Sequence, residues 1–142
     1  MKEEDILQAV KRENVKFVQL QFTDILGTVK SITIPANQLK KAMEEGIFFD
    51  GSSVLGYATI EESDMRLKPD PNSFVILPWT ENDLKTARMV CEVYDHAGNR
   101  FEGDPRWALE RLVKIARKHG WVFYTAPEYE FFLLLAENGE PT

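Results

Sequence analysis

Cysteine is almost missing from this sequence. The single one, Cys91, excludes an intramolecular disulfide and a cysteine-rich zinc site. No long apolar run occurs either. The longest strongly apolar stretch is Phe131 to Ala136, far too short to cross a membrane. The opening residues, MKEEDILQAVKREN, mix both charge signs with apolar side chains, so no secretory signal is read there and the cytoplasm is the expected compartment. Neither GxxxxGK[ST] nor GxGxxG is present, so a nucleotide would have to be held in another way. Basic clusters are absent as well. With 17 Lys and Arg against 23 Asp and Glu the net charge is −6, which argues against nucleic acid as the main partner. There are no internal repeats and no low-complexity segments. What remains is 142 residues with 44% hydrophobic and 28% charged side chains, the proportions of a globular protein. That length suits one medium domain, or a small domain plus a piece of another.

Local patterns predict elements along most of the chain. Ile6, Leu7 and Val10 form one apolar stripe and predict a helix over 3–12. Its acidic residues lie at the start and its basic residues at the end, as the helix dipole favours. Val18, Leu20 and Phe22 alternate with Gln19 and Gln21, the period of a half-buried strand. A turn over 24–27 and a second alternation through Lys30, Ile32 and Ile34 complete an antiparallel hairpin. Pro35 ends it, and Leu39, Ala42 and Met43 predict a helix stopping at Gly46. Residues 49–73 show no regular period and read as a long loop, which in a compact domain points to function or disorder. The apolar Phe49, Val54, Leu55, Tyr57, Ile60, Met65 and Leu67 argue against disorder. SFVILPW and ARMVCEVY then predict two strands, with a turn over 95–98.

A domain boundary is expected near Gly103. Asp104 is a good helix N-cap and Pro105 fits the first helical position. Leu109, Leu112, Val113 and Ala116 form an apolar stripe that ends at Gly120, and WVFYTAPEYEFFLLL reads as strand. One helix and one strand cannot cover both faces of that strand. The sequence is therefore expected to be the front of a longer protein.

Two places could carry chemistry. Glu128 and Glu130 would share one face of a strand, with Cα atoms about 6.6 Å apart at a rise of about 3.3 Å per residue. Among apolar neighbours, two such carboxylates need a hard cation or hydrogen bonds to stay ionised, and Mg²⁺ or Mn²⁺ would suit. The same spacing fits a half-exposed strand whose glutamates face water. In Phe49-Asp50-Gly51-Ser52-Ser53, Asp50 could offer a carboxylate to a small cation such as ammonium, and Ser53 a hydroxyl. The same five residues also fit an ordinary Asp-Gly turn. His119 reads as a helix-dipole partner, His96 as a turn residue, Cys91 as core, and Glu61, Glu62 and Asp64 as a solvated loop face.

Together these segments resemble a known family. FDGSS at 49–53, eight further residues, and Glu62-Ser63-Asp64-Met65-Arg66-Leu67 are similar to the N-terminal signature of glutamine synthetases, without a gap. Pro69-Asp70, the DPR at 104–106 and PEYEFF at 127–132 follow in the right order and look like the type I enzymes of bacteria and archaea. The resemblance implies an α+β fold: a β-grasp N-terminal domain over 1–103, then the truncated start of the catalytic domain over 104–142.

It also implies a reaction, the ATP-dependent ligation of ammonia to glutamate through γ-glutamyl phosphate, with Mg²⁺ or Mn²⁺ in a carboxylate-lined site. By resemblance Glu130 serves the ion nearer glutamate, and Glu128 the ion nearer the ATP phosphates. Asp50 holds ammonium and helps remove its proton, and Ser53 lines the same site. In this family the loop residues act in a neighbouring subunit's site within a dodecamer of two stacked rings. No membrane or nucleic-acid partner is implied. The other metal ligands, the nucleotide-binding residues and the substrate arginines have no counterpart in these 142 residues, so the chain alone is expected to be inactive. Thr59 departs from an arginine often linked to feedback inhibition. A related glutamate–amine ligase and a non-catalytic β-grasp interaction module are the other readings.

Overall fold

In the computed structural model, which describes residues 1–57 and 64–141, the glutamine-spaced alternation becomes strand β1 (Phe17–Thr23). Val18, Leu20 and Phe22 point into the core and the residues between them point out, as a period of two requires. β1 pairs antiparallel with β2 (Val29–Pro35), from Phe17 opposite Pro35 to Thr23 opposite Val29. The predicted hairpin is thus present. Its turn is organised by Asp24, whose Oδ1 accepts from the amides of Leu26 and Thr28 at 2.9 Å each.

The predicted helices are present too. Helix α1 (Glu3–Arg12) buries Ile6 and Val10, and the Lys2 amide donates to the Asp5 carboxylate at 3.2 Å. Helix α2 (Leu39–Glu45) buries Leu39, Ala42 and Met43. It stops at Gly46, whose φ of 79° is a conformation that glycine adopts without steric cost. Both helices contribute to one apolar core with β1, β2 and apolar residues farther along the chain, from Val54 to Val93.

The sheet contains more strands than local periodicity shows. The stretch read as a loop over 49–73 holds the end of β3 (Ile47–Asp50) and all of β4 (Asp64–Pro69). β4 buries Met65, Leu67 and Pro69, a true alternation that is short and ends in proline. Conversely, the strand read over 73–79 shrinks to β5 (Val75–Ile76), because Pro78 has no N–H for a ladder. β6 (Thr86–Tyr94) is the longest strand. The order is β2-β1-β6-β4-β3, with β5 also on β6. The β1–β6 pairing is parallel and the others are antiparallel, so the sheet is mixed. One edge of β6 meets β1 over 86–90, and the other meets β5 and then β4.

Contacts divide the chain into two compact units, Met1–Leu112 and Val113–Thr142. Helix α3 (Pro105–Lys118) runs through this division. Its start agrees with the expected cap, since Asp104 Oδ1 accepts from the Arg106 amide at 3.0 Å. None of its apolar stripe is fully buried: Leu109 and Leu112 are exposed, and Val113 and Ala116 are half-buried. The strand expected over 121–135 does not pair. Those residues have no regular structure, because a strand needs a neighbour to take its backbone groups. The only ladder described beyond α3 is the short hairpin of β7 (Ala136–Glu137) and β8 (Glu140–Pro141). Among the described residues no helix is long and apolar enough to cross a membrane.

Candidate active-site loop and carboxylate pair

β3 delivers Asp50 to the sheet end, where Asp50 pairs with Asp64 across the β3–β4 ladder. A single 3₁₀ turn, Gly51–Ser53, follows. Asp50 Oδ1 accepts from the Ser52 amide at 2.9 Å and from the Ser52 hydroxyl at 2.6 Å. Its Oδ2 accepts from the Ser53 hydroxyl at 2.8 Å. The Ser52 hydroxyl first, then the Ser53 hydroxyl and the Ser52 amide, hold the carboxyl below its ordinary value. Asp50, Ser52 and Ser53 are exposed, whereas Gly51 and Val54 are buried. The loop therefore presents an ionised carboxylate, clamped by hydroxyls, on an apolar footing.

That footing is a cluster of rings. Phe49 lies 5.0 Å from Phe22 between ring centroids, and Tyr57 lies 5.0 Å from Phe101 and 5.8 Å from Phe22. The Tyr57 hydroxyl donates to the Thr23 carbonyl at the end of β1. Burial, with Asp104 and Asp24 adding to it, pushes that hydroxyl's pKa up, so it remains a donor. Gly56 brings the loop close to the hairpin turn: a Cβ there would sit 2.5 Å from Ile25 Cδ1. The loop is thus fixed at both ends, by the β3 ladder and by Tyr57. The sequence shows Tyr57 only as an aromatic residue in a loop. Its partner lies 34 positions away, beyond any local pattern.

Glu128 and Glu130 lie in the second unit, in the segment without regular structure, and both are exposed. The strand geometry that would set them on one face is absent. Among the described residues no three His, Cys, Asp or Glu side chains gather as a metal site. The pair offers hard oxygen donors of the kind that Mg²⁺ and Mn²⁺ take, but only two residues where such ions take about six oxygens. Cys91 is a buried free thiol, raised in pKa chiefly by burial, in keeping with a core role. Thr59, Glu61 and Glu62 lie outside the described residues.

A family profile described as "Glutamine synthetase, beta-Grasp domain" matches residues 14–96. The chain is 51% identical over 140 residues to a glutamine synthetase of Methanosarcina mazei, covering 98% of this chain and 31% of the relative. It is 48% identical over 139 residues to one of Thermotoga maritima, covering 97% of this chain and 32% of that one. A solved structure of Plasmodium falciparum glutamine synthetase superposes with a TM-score of 0.73 at 21% identity, over 84% of this chain and 23% of that chain, and so supports the fold. The chain spans about a third of the length of the curated relatives it matches. The hairpin, the mixed sheet, the pinned FDGSS loop and these similarities lead to one assignment: this chain belongs to the glutamine synthetase family, through its β-grasp domain.

Proposed function

We propose that the chain is the N-terminal part of a glutamate–ammonia ligase, in which residues 1–103 form the β-grasp domain and 104–142 open the catalytic domain. The observation that carries this reading is the Asp50 carboxylate, exposed, ionised and held by two serines on a loop pinned by Tyr57. A carboxylate kept below its ordinary pKa is a standing partner for ammonium at neutral pH. Ser53, which already donates to it, lines the same place. To take a proton from ammonium, the carboxylate must first lose some of its hydroxyl donors, since they favour its charged form.

Glu128 and Glu130 are the residues of this chain that would hold divalent ions, Glu130 on the glutamate side and Glu128 on the ATP side. Such ions would neutralise charge on the phosphates and on the glutamate carboxylate. The remaining ligands and the nucleotide site would come from sequence that the relatives carry and these 142 residues do not. The proposed partners are glutamate, ammonium and ATP, in a cytoplasmic ring-shaped homo-oligomer in which Asp50 serves a neighbouring subunit.

Kinetics on the intact protein test this reading. Asp50→Ala should lower ammonium-dependent glutamine formation by about a hundredfold or more, the scale of a lost acid–base group, with ATP affinity unchanged. Co-refolded Asp50→Ala and Glu130→Ala chains should recover activity, since roughly a quarter of composite sites would then be wild type. Wild-type ammonium kinetics in Asp50→Ala would overturn the assignment. Mixed oligomers as inactive as their parents would show that Asp50 does not act across a subunit boundary.

A further inference from the structure

Where the chain leaves the sheet for α3, two arginines meet four carboxylates. Arg100 Nη1 lies 2.8 Å from Glu92 on β6 and 3.6 Å from Glu110 on α3. Arg100 Nη2 lies 3.6 Å from Oδ2 of Asp104, the α3 cap. The guanidinium also sits over the rings of Trp107, at 4.6 Å, and Tyr94, at 5.6 Å. Arg106 pairs with Asp70, which follows β4, and with Glu110 at 3.3 Å. The Tyr94 hydroxyl donates to Glu92 at 2.8 Å. The DPR at 104–106 and the PDP at 69–71, far apart in sequence, are thereby joined at one point.

Most surface ion pairs contribute little, because water and salt screen them. This cluster differs in burial. The Arg100 side chain is 15% exposed and that of Asp104 is 1% exposed. Removing Arg100 would leave a buried carboxylate facing no cation from that side, which is strongly unfavourable. Lysine could restore the charge there, but neither the planar fork nor the ring stacking. The partners come from three separate places: β6, the turn after β4 and the first two turns of α3. Their common effect is to fix the direction in which α3 departs from the β-grasp sheet.

We propose that this cluster is a latch, and that Arg100 and Arg106 are positioning residues that set the β-grasp domain, and with it Asp50, against the rest of the assembled protein. The proposal rests on the functional reading above, in which Asp50 is delivered to a neighbouring site. Both arginines are engaged by carboxylates of this chain. Each acts through the angle of α3. Loosening the latch should therefore impair the use of ammonium while the glutamate and ATP requirements stay as they are.

Two measurements test it. In the 142-residue chain, hydrogen exchange of the α3 amides over 106–110 should speed up by about tenfold or more in Arg100→Gln, as local opening becomes easier. Exchange in the β1–β2 hairpin should not change. Asp70→Asn is a milder second variant: it can keep the bond that Asp70 accepts from the Asn72 amide at 2.9 Å while losing the charge opposite Arg106. It should show the same pattern at smaller size. In the intact protein, both variants should raise the ammonium KM by about threefold or more with kcat for saturating ammonium nearly kept, and Arg100→Lys should recover part of the loss. Unchanged α3 exchange, or an equal rise in the hairpin, would overturn the latch. Faster α3 exchange with wild-type ammonium KM would overturn its link to Asp50. A wild-type protein that forms no glutamine would instead overturn the functional reading and leave the exchange result to stand for the latch alone.

Discussion

Phe22 and Phe132 are the same side chain in opposite circumstances. The first is 3% exposed inside the sheet unit, the second 94% exposed in the segment after α3. Local pattern does not explain the difference, since the region around Phe132 is the more apolar of the two. Phe22 lies on a strand with β2 on one side and β6 on the other. Among the described residues, none ladders with 121–135. Apolar content makes a segment able to be buried, and a partner for its backbone decides whether it is. The exposed rings and leucines of 121–135 have the composition of a core strand without the neighbours of one.

Substitutions in the two regions should therefore differ in size, and the contrast can be broken by measuring it. The largest effect is expected from Leu20→Ala, which deletes a fully buried side chain on the central β1. It should cost about 3 kcal/mol in chemical denaturation. A loss below about 1 kcal/mol would mean that β1 is no more central than the tail. Next comes Tyr57→Phe, which removes one hydroxyl and leaves the Thr23 carbonyl without that donor. It should cost about 1 kcal/mol, and it should also speed proteolytic cleavage within the FDGSS loop if Tyr57 pins that loop. The smallest effect is expected from Phe132→Ser. In this chain it should stay within about 0.5 kcal/mol of wild type, as for other exposed positions. A larger loss would show that the tail is buried in solution.

A pH series sharpens the same contrast within the sheet unit. Burial pushes the Asp24 carboxyl up, but the amides of Thr28 and Leu26 and the Lys30 ammonium outweigh it, and the net shift is downward from 3.8. A depressed native pKa means that the stabilisation is fully present above the ordinary value. It is lost as pH falls through the lowered one. Asp24→Asn should thus melt below wild type at neutral pH, and the two melting curves should converge in acid. A gap independent of pH would show that the turn needs the shape of Asp24 and not its charge.

Much of the fold was legible where neighbours in sequence are also neighbours in space. Helices α1 and α2, the hairpin and the capped start of α3 all follow from patterns within a few residues. β4 escaped notice because only Met65, Leu67 and Pro69 mark it and its partners are β3, across a long connection, and the still more distant β6. The parallel β1–β6 pairing left no local trace. At the candidate site, Asp50 and Ser53 stood out by motif, while Tyr57, which fixes their loop, did so only through a carbonyl 34 positions back. The Arg106–Asp70 contact spans 36 positions and was invisible for the same reason. Glu128 and Glu130 were legible as a pair, but the strand expected to align them does not form in this chain.

The central position of β6 has a bearing on how the chain is made. Synthesis releases the first hairpin early, and β3 and β4 later, yet in the finished sheet the two pairs are joined by backbone hydrogen bonds only through a strand that ends at Tyr94. Until that strand leaves the ribosome, β1 and β4 each hold an open edge, the kind of surface on which nascent chains meet one another. Closing the gap means bringing Thr86 beside Phe17, and such distant pairings make folding slow. On a polysome many such half-sheets would stand side by side, and the interval before residue 94 emerges is when their open edges are exposed together.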